Sequence, residues 1–197
     1  MGNKEEIYWS NRYKEGKTGW DIGSPSRPLQ EYVDSLKDHQ LKILIPGAGN
    51  SYEAEYVWNK GFKNVHILDI STHPLNAFQK RVQDFPKDQL HCENFFEFEG
   101  QYDLILEQTF FCSFLPSQEN RKAYAQKVYD LLVPGGILAG VLFNFPVVYN
   151  SEKRPFGGSK EEYSGYFNPL FQGVKIEDCY NSIGPRAGNE YFIRLRK

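Results

Sequence analysis

Two glycines and a carboxylate have the spacing of a site that binds a nucleoside. Gly47 and Gly49 directly follow the apolar run 41–46, and Asp69 ends a second apolar run about 20 residues later. Glycine has no Cβ, so the backbone can turn sharply there and a ligand can approach it closely. A carboxylate at the end of the second strand can accept hydrogen bonds from ribose hydroxyls. The spacing favours a nucleotide-binding turn over an ordinary strand-to-helix turn.

The turn lacks one element of the dinucleotide fingerprint. That fingerprint has a third glycine, and this chain has Tyr52 and Glu53 where it would stand. The turn is therefore less suited to a pyrophosphate. We expect a nucleoside cofactor without phosphates.

Three large aromatic residues, Trp9, Tyr13 and Trp20, precede the first apolar run. The first two lie in a predicted short helix, and Trp20 lies in the loop after it, which is rich in Gly, Pro and Ser. They could form a hydrophobic plug over one face of the protein. They could also form a lid over a cationic ligand, because a cation such as a sulfonium is attracted to aromatic faces. Their spacing alone leaves both interpretations open.

Apolar runs alternate with helical patterns along most of the chain. This alternation predicts an α/β fold with a mostly parallel sheet covered on both faces. Two strands close together at the C-terminus, near 174–180 and 190–196, predict an antiparallel hairpin on that sheet. A capping-box pattern at 159–162 predicts a short helix before them, after a loop over 150–158.

Ligands of open α/β sheets bind beyond the carboxyl ends of the strands. The polar residues at those ends are therefore the informative ones. We expect four stretches to converge there: 46–50, Asp69 with Ile70, Asn94 with Phe95, and 107–109.

Composition excludes several classes of function. The 197 residues predict one domain, and a formal net charge of −2 offers no basic excess for a nucleic acid. No apolar run approaches the roughly 20 residues that span a membrane. The cysteines Cys92, Cys112 and Cys179 are far apart and match no zinc motif, so we expect no metal and a reduced, cytoplasmic environment.

An ordered set of motifs resembles the thiopurine S-methyltransferase family, which includes plant and bacterial thiol and halide methyltransferases. The resemblance covers nearly the whole chain, and the ordered set is more specific than any one piece. The motifs are Trp9-x-x-x-Tyr13, Gly-Lys-Thr-Gly-Trp-Asp at 16–21, Pro-Gly-Ala-Gly at 46–49, Leu-Asp-Ile-Ser at 68–71, Tyr-Asp-Leu-Ile at 102–105, Phe-Phe-Cys at 110–112, Leu-Leu-Val-Pro-Gly-Gly at 131–136 and Ser-Ile-Gly-Pro-Arg at 182–186.

The resemblance implies a Rossmann-like class I methyltransferase fold, with a seven-stranded sheet, a reversed last strand and bound S-adenosylmethionine. The aromatic residues would then form a lid around the methionine part of the cofactor, and Asp69 would hold the ribose. It implies that the cofactor is bound by Trp9, Tyr13, Trp20, Gly47, Gly49, Asp69, Ile70, Asn94, Phe95, Glu107 and Gln108.

Methyl transfer from a sulfonium needs a nucleophile in line with the S–CH₃ bond, and positioning supplies much of the rate. A thiol has a pKa near 8.5, so some thiolate exists at neutral pH without a strong base. We therefore expect no obligatory catalytic dyad, and Ala48 excludes a thiol at a position where relatives often have Cys. Asp21 is a candidate base, although it could equally cap its loop.

Arg154 and Arg186 lie in Gly/Pro-containing loops of the C-terminal part. We expect both to bind the acceptor, together with Trp20, and the resemblance makes Arg186 a candidate for stabilising a thiolate or another anion. Arg154 fits a solvated loop arginine equally well.

The sequence predicts a monomeric enzyme that methylates a small soft nucleophile such as a thiol, a sulfide or a thiopurine-like sulfur. A halide, a tellurium or selenium oxyanion, and oxygen or nitrogen acceptors remain alternatives, as does a cofactor-binding module without turnover. We expect three parts in one domain: an N-terminal helical and aromatic lid over 1–40, a cofactor-binding core over 41–145 and a substrate-side part over 146–197.

Overall fold

The computed structural model describes residues 2–149 and 153–197, so residues 150–152 of the predicted loop lie outside the described part. Its seven strands form one sheet in the order β3-β2-β1-β4-β5-β7-β6. The first five run parallel to one another, whereas β7 runs antiparallel to both β5 and β6. The predicted fold, with its reversed last strand, is confirmed. The strands are β1 (Ile43–Pro46), β2 (Val65–Asp69), β3 (Leu90–Cys92), β4 (Tyr102–Gln108), β5 (Leu132–Phe143), β6 (Gln172–Asp178) and β7 (Glu190–Arg196).

Six α-helices alternate with these strands, and serine caps begin several of them. The Ser71 side chain accepts a hydrogen bond from the His73 amide at the start of α4. The predicted capping box is present, because Ser159 and Glu162 exchange hydrogen bonds at the start of α6. The helices are α1 (Gly2–Lys14), α2 (Arg27–Ser35), α3 (Tyr52–Asn59), α4 (Thr72–Arg81), α5 (Gln118–Leu131) and α6 (Lys160–Phe167).

Successive side chains of a strand point to opposite faces, so the sheet has two apolar cores. Leu44 and Ile105 belong to the core that contains α5 and α6 residues. Ile43 and Leu104, their neighbours along the same strands, belong to the core that contains residues of α2, α3 and α4. Helices therefore cover both faces, as predicted for a mostly parallel sheet.

The strand order creates the position for a ligand. Strand β1 lies between β2 on one side and β4 on the other, so the strand order reverses at its carboxyl end. The chain leaves β1 through a tight turn in which Gly47, Gly49 and Ser51 have φ values of 58°, 53° and 58°. This left-handed backbone suits glycine and places successive backbone amides at the edge of the sheet.

Within the described residues, no helix is both long and apolar enough to cross a membrane. The same part of the chain contains no group of three His, Cys, Asp or Glu side chains arranged to hold a metal. Cys92, Cys112 and Cys179 are free.

Candidate active site

A cleft lies at the carboxyl end of β1 and β4. It brings together Trp20, Asp21, Gly47, Gly49, Gln108 and Arg186 of the predicted site residues. Trp9, Tyr13, Asp69, Ile70, Asn94, Phe95, Glu107 and Arg154 lie outside its lining. The full lining consists of Trp20, Asp21, Ile22, Ser24, residues 45–53, Gln108, Thr109 and Arg186.

Asp69 holds the glycine turn through a hydrogen bond. Its Oδ2 accepts a hydrogen bond of 2.9 Å from the Gly49 amide, and its Oδ1 accepts one of 2.8 Å from the Ser71 amide. Burial raises the pKa of Asp69 to about 6, against the effect of these amides. The Ile70 amide also interacts with this carboxylate. The two oxygens together have four lone pairs, so capacity remains to accept from a hydroxyl donor.

The chain's own aromatic residues occupy the space beside both glycines. A Cβ on Gly47 would lie 1.9 Å from Phe110 Cδ2, and a Cβ on Gly49 would lie 2.9 Å from the Tyr13 hydroxyl. We expected the glycines to allow close approach of a ligand. In the structure they allow close approach of Phe110 and Tyr13, so packing within the protein is a separate reason for glycine at both positions.

The aromatic residues of the N-terminal part form one cluster. The Trp20 ring lies 5.3 Å from Trp9 and 5.6 Å from Tyr13, centroid to centroid, in edge-to-face geometry. Burial and the negative charge of Asp69 raise the pKa of the Tyr13 hydroxyl, which also hydrogen-bonds the Trp20 side chain. Because Tyr13 reaches Gly49, the cluster covers the glycine turn.

Glu107 does not point into the cleft. It is fully buried, and its Oε1 accepts hydrogen bonds from the amides of Phe110 and Phe111, the latter at 3.1 Å. Its Oε2 accepts a hydrogen bond from the Tyr124 hydroxyl. Burial raises the pKa of Glu107 to about 7. Gln108, the other residue expected at this strand end, lines the cleft, and its buried Oε1 has no partner among the described residues.

Asn94 and Phe95 lie beyond the end of β3. Asn94 closes a local turn, because its Oδ1 accepts from the Phe96 amide and its Nδ2 donates to Glu97, each at 3.1 Å. Phe95 is buried against Phe110, with ring centroids 5.2 Å apart. Ile70 directly follows Asp69 and leads into α4. Phe110 therefore links this region to Gly47.

Asp21 and Arg186 form hydrogen bonds that hold the loop after α1 beside the cleft. Asp21 Oδ1 accepts from the Gly23 amide at 2.7 Å, and its Oδ2 accepts from the Asn50 side chain. Arg186 Nη2 donates to the Trp20 carbonyl at 2.7 Å. Arg186 Nη1 forms an ion pair of 3.2 Å with Glu190. Both predicted residues therefore line the cleft.

Arg154 does not reach the cleft. Its Nη2 lies 2.9 Å from Glu5 Oε1, and its Nε donates to the Ser113 carbonyl at 2.6 Å. Its guanidinium also lies 4.5 Å from the centre of the Tyr8 ring. Arg154 therefore anchors α1 to the segment after β4, which differs from the expected contact with an acceptor.

The sequence reasoning missed two residues of this region. Phe110 belongs to one of the family motifs, but that motif does not indicate that it packs against Gly47. Glu53 lines the cleft, is buried, and accepts a 2.9 Å hydrogen bond from the Ser26 amide. An acidic residue in the first turn of a helix is common, so its pattern gave no distinguishing signal.

Comparison with known proteins identifies the family. The family model of thiopurine S-methyltransferase matches residues 4–191. The chain belongs to this family. It is therefore an S-adenosylmethionine-dependent methyltransferase, and the family predicted from the sequence motifs is confirmed.

Relatives and solved structures agree with this assignment. A probable thiol methyltransferase 2 of Arabidopsis thaliana is 31% identical over 96% of this chain and 84% of its own length. A thiocyanate methyltransferase 1 of Brassica oleracea is 29% identical over 98% of this chain and 86% of its own. The fold matches that of Burkholderia thailandensis 1,6-didemethyltoxoflavin-N1-methyltransferase, which was solved with its substrate and S-adenosylhomocysteine. That match has a TM-score of 0.73 at 17% identity and covers 98% of this chain and 86% of the other.

The residues around the glycine turn fit this cofactor. Asp69 accepts from backbone amides and retains capacity for a hydroxyl donor. Of the aromatic cluster, Trp20 lines the cleft, and a sulfonium is attracted to an aromatic face. The unpartnered Gln108 Oε1 offers an acceptor for a polar group such as an ammonium.

Proposed function

We propose that this protein transfers a methyl group from S-adenosylmethionine to the sulfur of a small thiol. The proposal rests on one structural observation in a chain of the thiopurine S-methyltransferase family. An aromatic cluster lies over the glycine turn, and Asp69 accepts a hydrogen bond from this turn. When bound, the cofactor supplies a methyl group that its sulfonium has activated for attack by a nucleophile. The names of the curated relatives, a thiol and a thiocyanate methyltransferase, support a sulfur acceptor.

In this proposal Asp69 binds the ribose hydroxyls, and the backbone of Gly47 and Gly49 lies along the cofactor. Trp9, Tyr13 and Trp20 cover the sulfonium and exclude water from it. The adenine lies toward Ile70, Asn94 and Phe95. Gln108 replaces Glu107 as the contact near the methyl donor, because only Gln108 lines the cleft.

The acceptor lies on the side of the cleft formed by Trp20, Asp21 and Arg186. The protein contributes by holding the sulfur in line with the methyl group and by keeping the pocket poor in water. Asp21 is the group on this side that can take a proton from the acceptor. We propose no contact between Arg154 and the acceptor, because Arg154 lies outside the cleft and donates hydrogen bonds to Glu5 and Ser113.

One observation favours a second candidate, an anionic acceptor such as thiocyanate or a halide. The thiocyanate methyltransferase of Brassica oleracea matches 98% of this chain, and Arg186 provides a cation at the cleft. This candidate shares the cofactor site and differs only in the acceptor.

A methylation screen with radiolabelled cofactor tests the proposal. The panel contains alkanethiols, an aromatic thiol, a thiopurine, hydrosulfide, iodide, thiocyanate, selenite and oxygen and nitrogen nucleophiles of matching size. We expect transfer to thiols, with kcat/KM lower by at least about tenfold for the Trp20→Ala variant, since it loses an aromatic face over the site. Transfer to oxygen or nitrogen acceptors alone, or cofactor binding without turnover on any acceptor, would refute the proposal.

We further propose that residues 1–197 form one methyltransferase domain that acts as a monomer in the reduced cytoplasm. The three free cysteines support the reduced compartment. The contacts of Arg154 with Glu5 and Ser113 join the lid part to the rest of the chain, which supports one domain. Size-exclusion chromatography with light scattering tests the monomer.

A further inference from the structure

A further cavity lies at the opposite edge of the sheet from the cleft. Its volume is about 270 Å³. Its lining includes Leu41, just before β1, and residues near the starts of β4 and β5, which are Asp103, Leu104 and 133–137. Arg196 at the end of β7 also lines it. Because β7 runs antiparallel to β5, the end of β7 lies at the same edge as the start of β5.

The walls of this cavity are largely apolar. Tyr32, Leu36, Leu41 and Ile137 line it, and all four are only partly buried where they pack against the core that contains residues of α2, α3 and α4. Leu104, which also lines it, is buried. An apolar cavity of about 150 Å³ is large enough to hold benzene. This cavity therefore has room for an aliphatic or aromatic group, whose binding would remove apolar surface from water.

Two opposite charges, Asp103 and Arg196, also line the cavity. In the part of the chain that the structure describes, neither side chain forms an ion pair. Asp103 Oδ2 accepts a hydrogen bond of 2.8 Å from the Lys42 amide, and a carboxylate can accept several more. Arg196 Nη2 lies beside the turn that begins β5, 3.8 Å from where a Cβ on Gly135 would stand. Both charged groups therefore retain capacity for a ligand.

The strand register determines the distance between the two charged residues. Leu104, which follows Asp103, pairs with Ile137, and Ile137 pairs with Arg196. Neighbouring strands are about 4.8 Å apart, so the backbones of β4 and β7 are roughly 10 Å apart here. Both side chains extend from these backbones to the same cavity. A small ligand between them can contact a carboxylate on one side and a guanidinium on the other.

A ligand with a single charge fits this arrangement poorly. A carboxylate attracted by Arg196 would also meet the negative charge of Asp103. An amine attracted by Asp103 would also meet the positive charge of Arg196. A zwitterion complements both, because its ammonium group can donate to Asp103 while its carboxylate accepts parallel N–H groups from Arg196.

We propose that this cavity binds a free α-amino acid with an apolar side chain. The ammonium group binds Asp103, the carboxylate binds Arg196, and the side chain lies against Leu36, Leu41 and Ile137. The inference goes beyond the proposed methyl transfer. The cavity shares none of its described lining residues with the cleft at the carboxyl end of β1.

A titration followed by two-dimensional NMR of the ¹⁵N-labelled protein tests the proposal. The protein is first saturated with S-adenosylhomocysteine, so that an amino acid cannot take the place of the methionine part of the cofactor. We expect L-leucine, L-methionine and L-phenylalanine to give saturable shifts of the Leu41, Asp103, Gly135 and Gly136 amides. L-serine should bind at least about tenfold more weakly, because it buries little apolar surface.

Two results of this titration would overturn the proposal. One is the absence of saturable shifts with the three apolar amino acids at concentrations up to about 10 mM, where a Kd in the millimolar range is still detected. The other is a set of shifts confined to the Gly47 and Gly49 amides, which would place the amino acid in the cleft.

Analogues of leucine test the need for both charges. Isocaproate lacks the ammonium group, and isopentylamine lacks the carboxylate, while both keep the branched apolar chain. We expect each to bind at least about fivefold more weakly than L-leucine, because each loses one charge-assisted contact and keeps one repulsion. Equally tight binding of either analogue would show that one charge suffices, and a zwitterion site would then be excluded. This comparison uses the wild-type protein alone.

Two variants assign the charges to their residues. Arg196→Gln should weaken L-leucine about fivefold without weakening isopentylamine, and Asp103→Asn should weaken L-leucine about fivefold without weakening isocaproate. Lys175→Gln is the matched control, since it removes a positive charge from an exposed position on β6, outside the cavity. It should bind L-leucine like the wild type. A loss equal to that of Arg196→Gln, or unchanged affinity in both cavity variants, would refute these contacts.

Discussion

Asp69 and Glu107 are two carboxylates near the carboxyl ends of the strands that flank β1. Both are buried, both accept hydrogen bonds from two backbone amides, and burial raises the pKa of both. They differ in how their oxygens are used. Asp69 receives one amide on each oxygen, whereas Glu107 receives two amides on one oxygen and the Tyr124 hydroxyl on the other.

This difference supports the binding role proposed for Asp69 and a structural role for Glu107. Asp69 ends β2 and accepts a hydrogen bond from Gly49 in the turn that lines the cleft. Glu107 points to the face that carries α5 and fixes the start of the turn at Phe111–Ser113. The two carboxylates lie at similar strand positions, yet we expect their substitutions to have different effects.

The largest effect is expected for Glu107→Ala. The change leaves two backbone amides and the Tyr124 hydroxyl without their acceptor in a buried region. We expect the free energy of unfolding to fall by about 3 kcal/mol or more, measured by urea denaturation. Glu107→Gln is the matched control and should lose less than about 1.5 kcal/mol. Its amide oxygen can still accept from both backbone amides, and its NH2 group can donate to the Tyr124 oxygen. Equal losses in the two variants would contradict the proposed structural role.

Asp69→Ala should affect binding more than Glu107→Gln does. We expect the affinity for S-adenosylhomocysteine to fall about 10- to 100-fold, the range for hydrogen bonds to a charged group. Isothermal titration calorimetry provides the measurement, and Glu107→Gln should stay within about twofold of the wild type. Unchanged affinity in both Asp69→Ala and Trp20→Ala would show that the cofactor binds elsewhere.

The affinity for S-adenosylhomocysteine should also depend on pH through Asp69. Ribose hydroxyls donate to the ionised carboxylate, and burial raises the pKa of Asp69 to about 6. The ionised form is lost as the pH falls through this value, so affinity should be about tenfold lower at pH 5 than at pH 7. Calorimetry at several pH values tests this. In Asp69→Asn, which cannot ionise, the dependence should disappear, and an unchanged slope there would assign it to another group.

The smallest effect is expected for Glu5→Gln. Glu5 is 40% exposed and Arg154 is 12% exposed, so solvent screens part of their attraction. We expect a loss of at most about 1 kcal/mol in the free energy of unfolding, since Arg154 keeps its bond to Ser113. Thermal denaturation measures it. A loss as large as that of Glu107→Ala would mean that the ion pair, and not the buried carboxylate, holds this region together.

Features that are local in sequence could be predicted. The turn at 46–50 and Asp69 belong to one strand–helix–strand unit, in which spacing along the chain determines spacing in the structure. The capping box of α6 spans four residues and could be predicted for the same reason. The number of strands was predicted only through the family resemblance, because strand pairing depends on contacts between distant segments.

Features that depend on distant contacts could not be predicted. Arg154 is paired with Glu5, 149 residues away in sequence, and no local pattern links them. The position of Phe110 depends on Thr109, a residue other than glycine with a φ of 57° that redirects the chain after β4. The orientations of Glu107 and Gln108 depend on how β4 ends, and residues at a strand end are commonly polar on either face.

The position of β7 between β5 and β6 also affects the order in which the site is completed during synthesis. The ribosome produces the glycine turn and Asp69 first, and more than a hundred residues must follow before Arg186 and Glu190 emerge. A nascent chain at that stage contains the strands of the cofactor side but neither partner of the buried ion pair. The sheet can close only after β7 has inserted between its two neighbours. The part of the protein that carries this ion pair is therefore made after the part that carries the glycine turn.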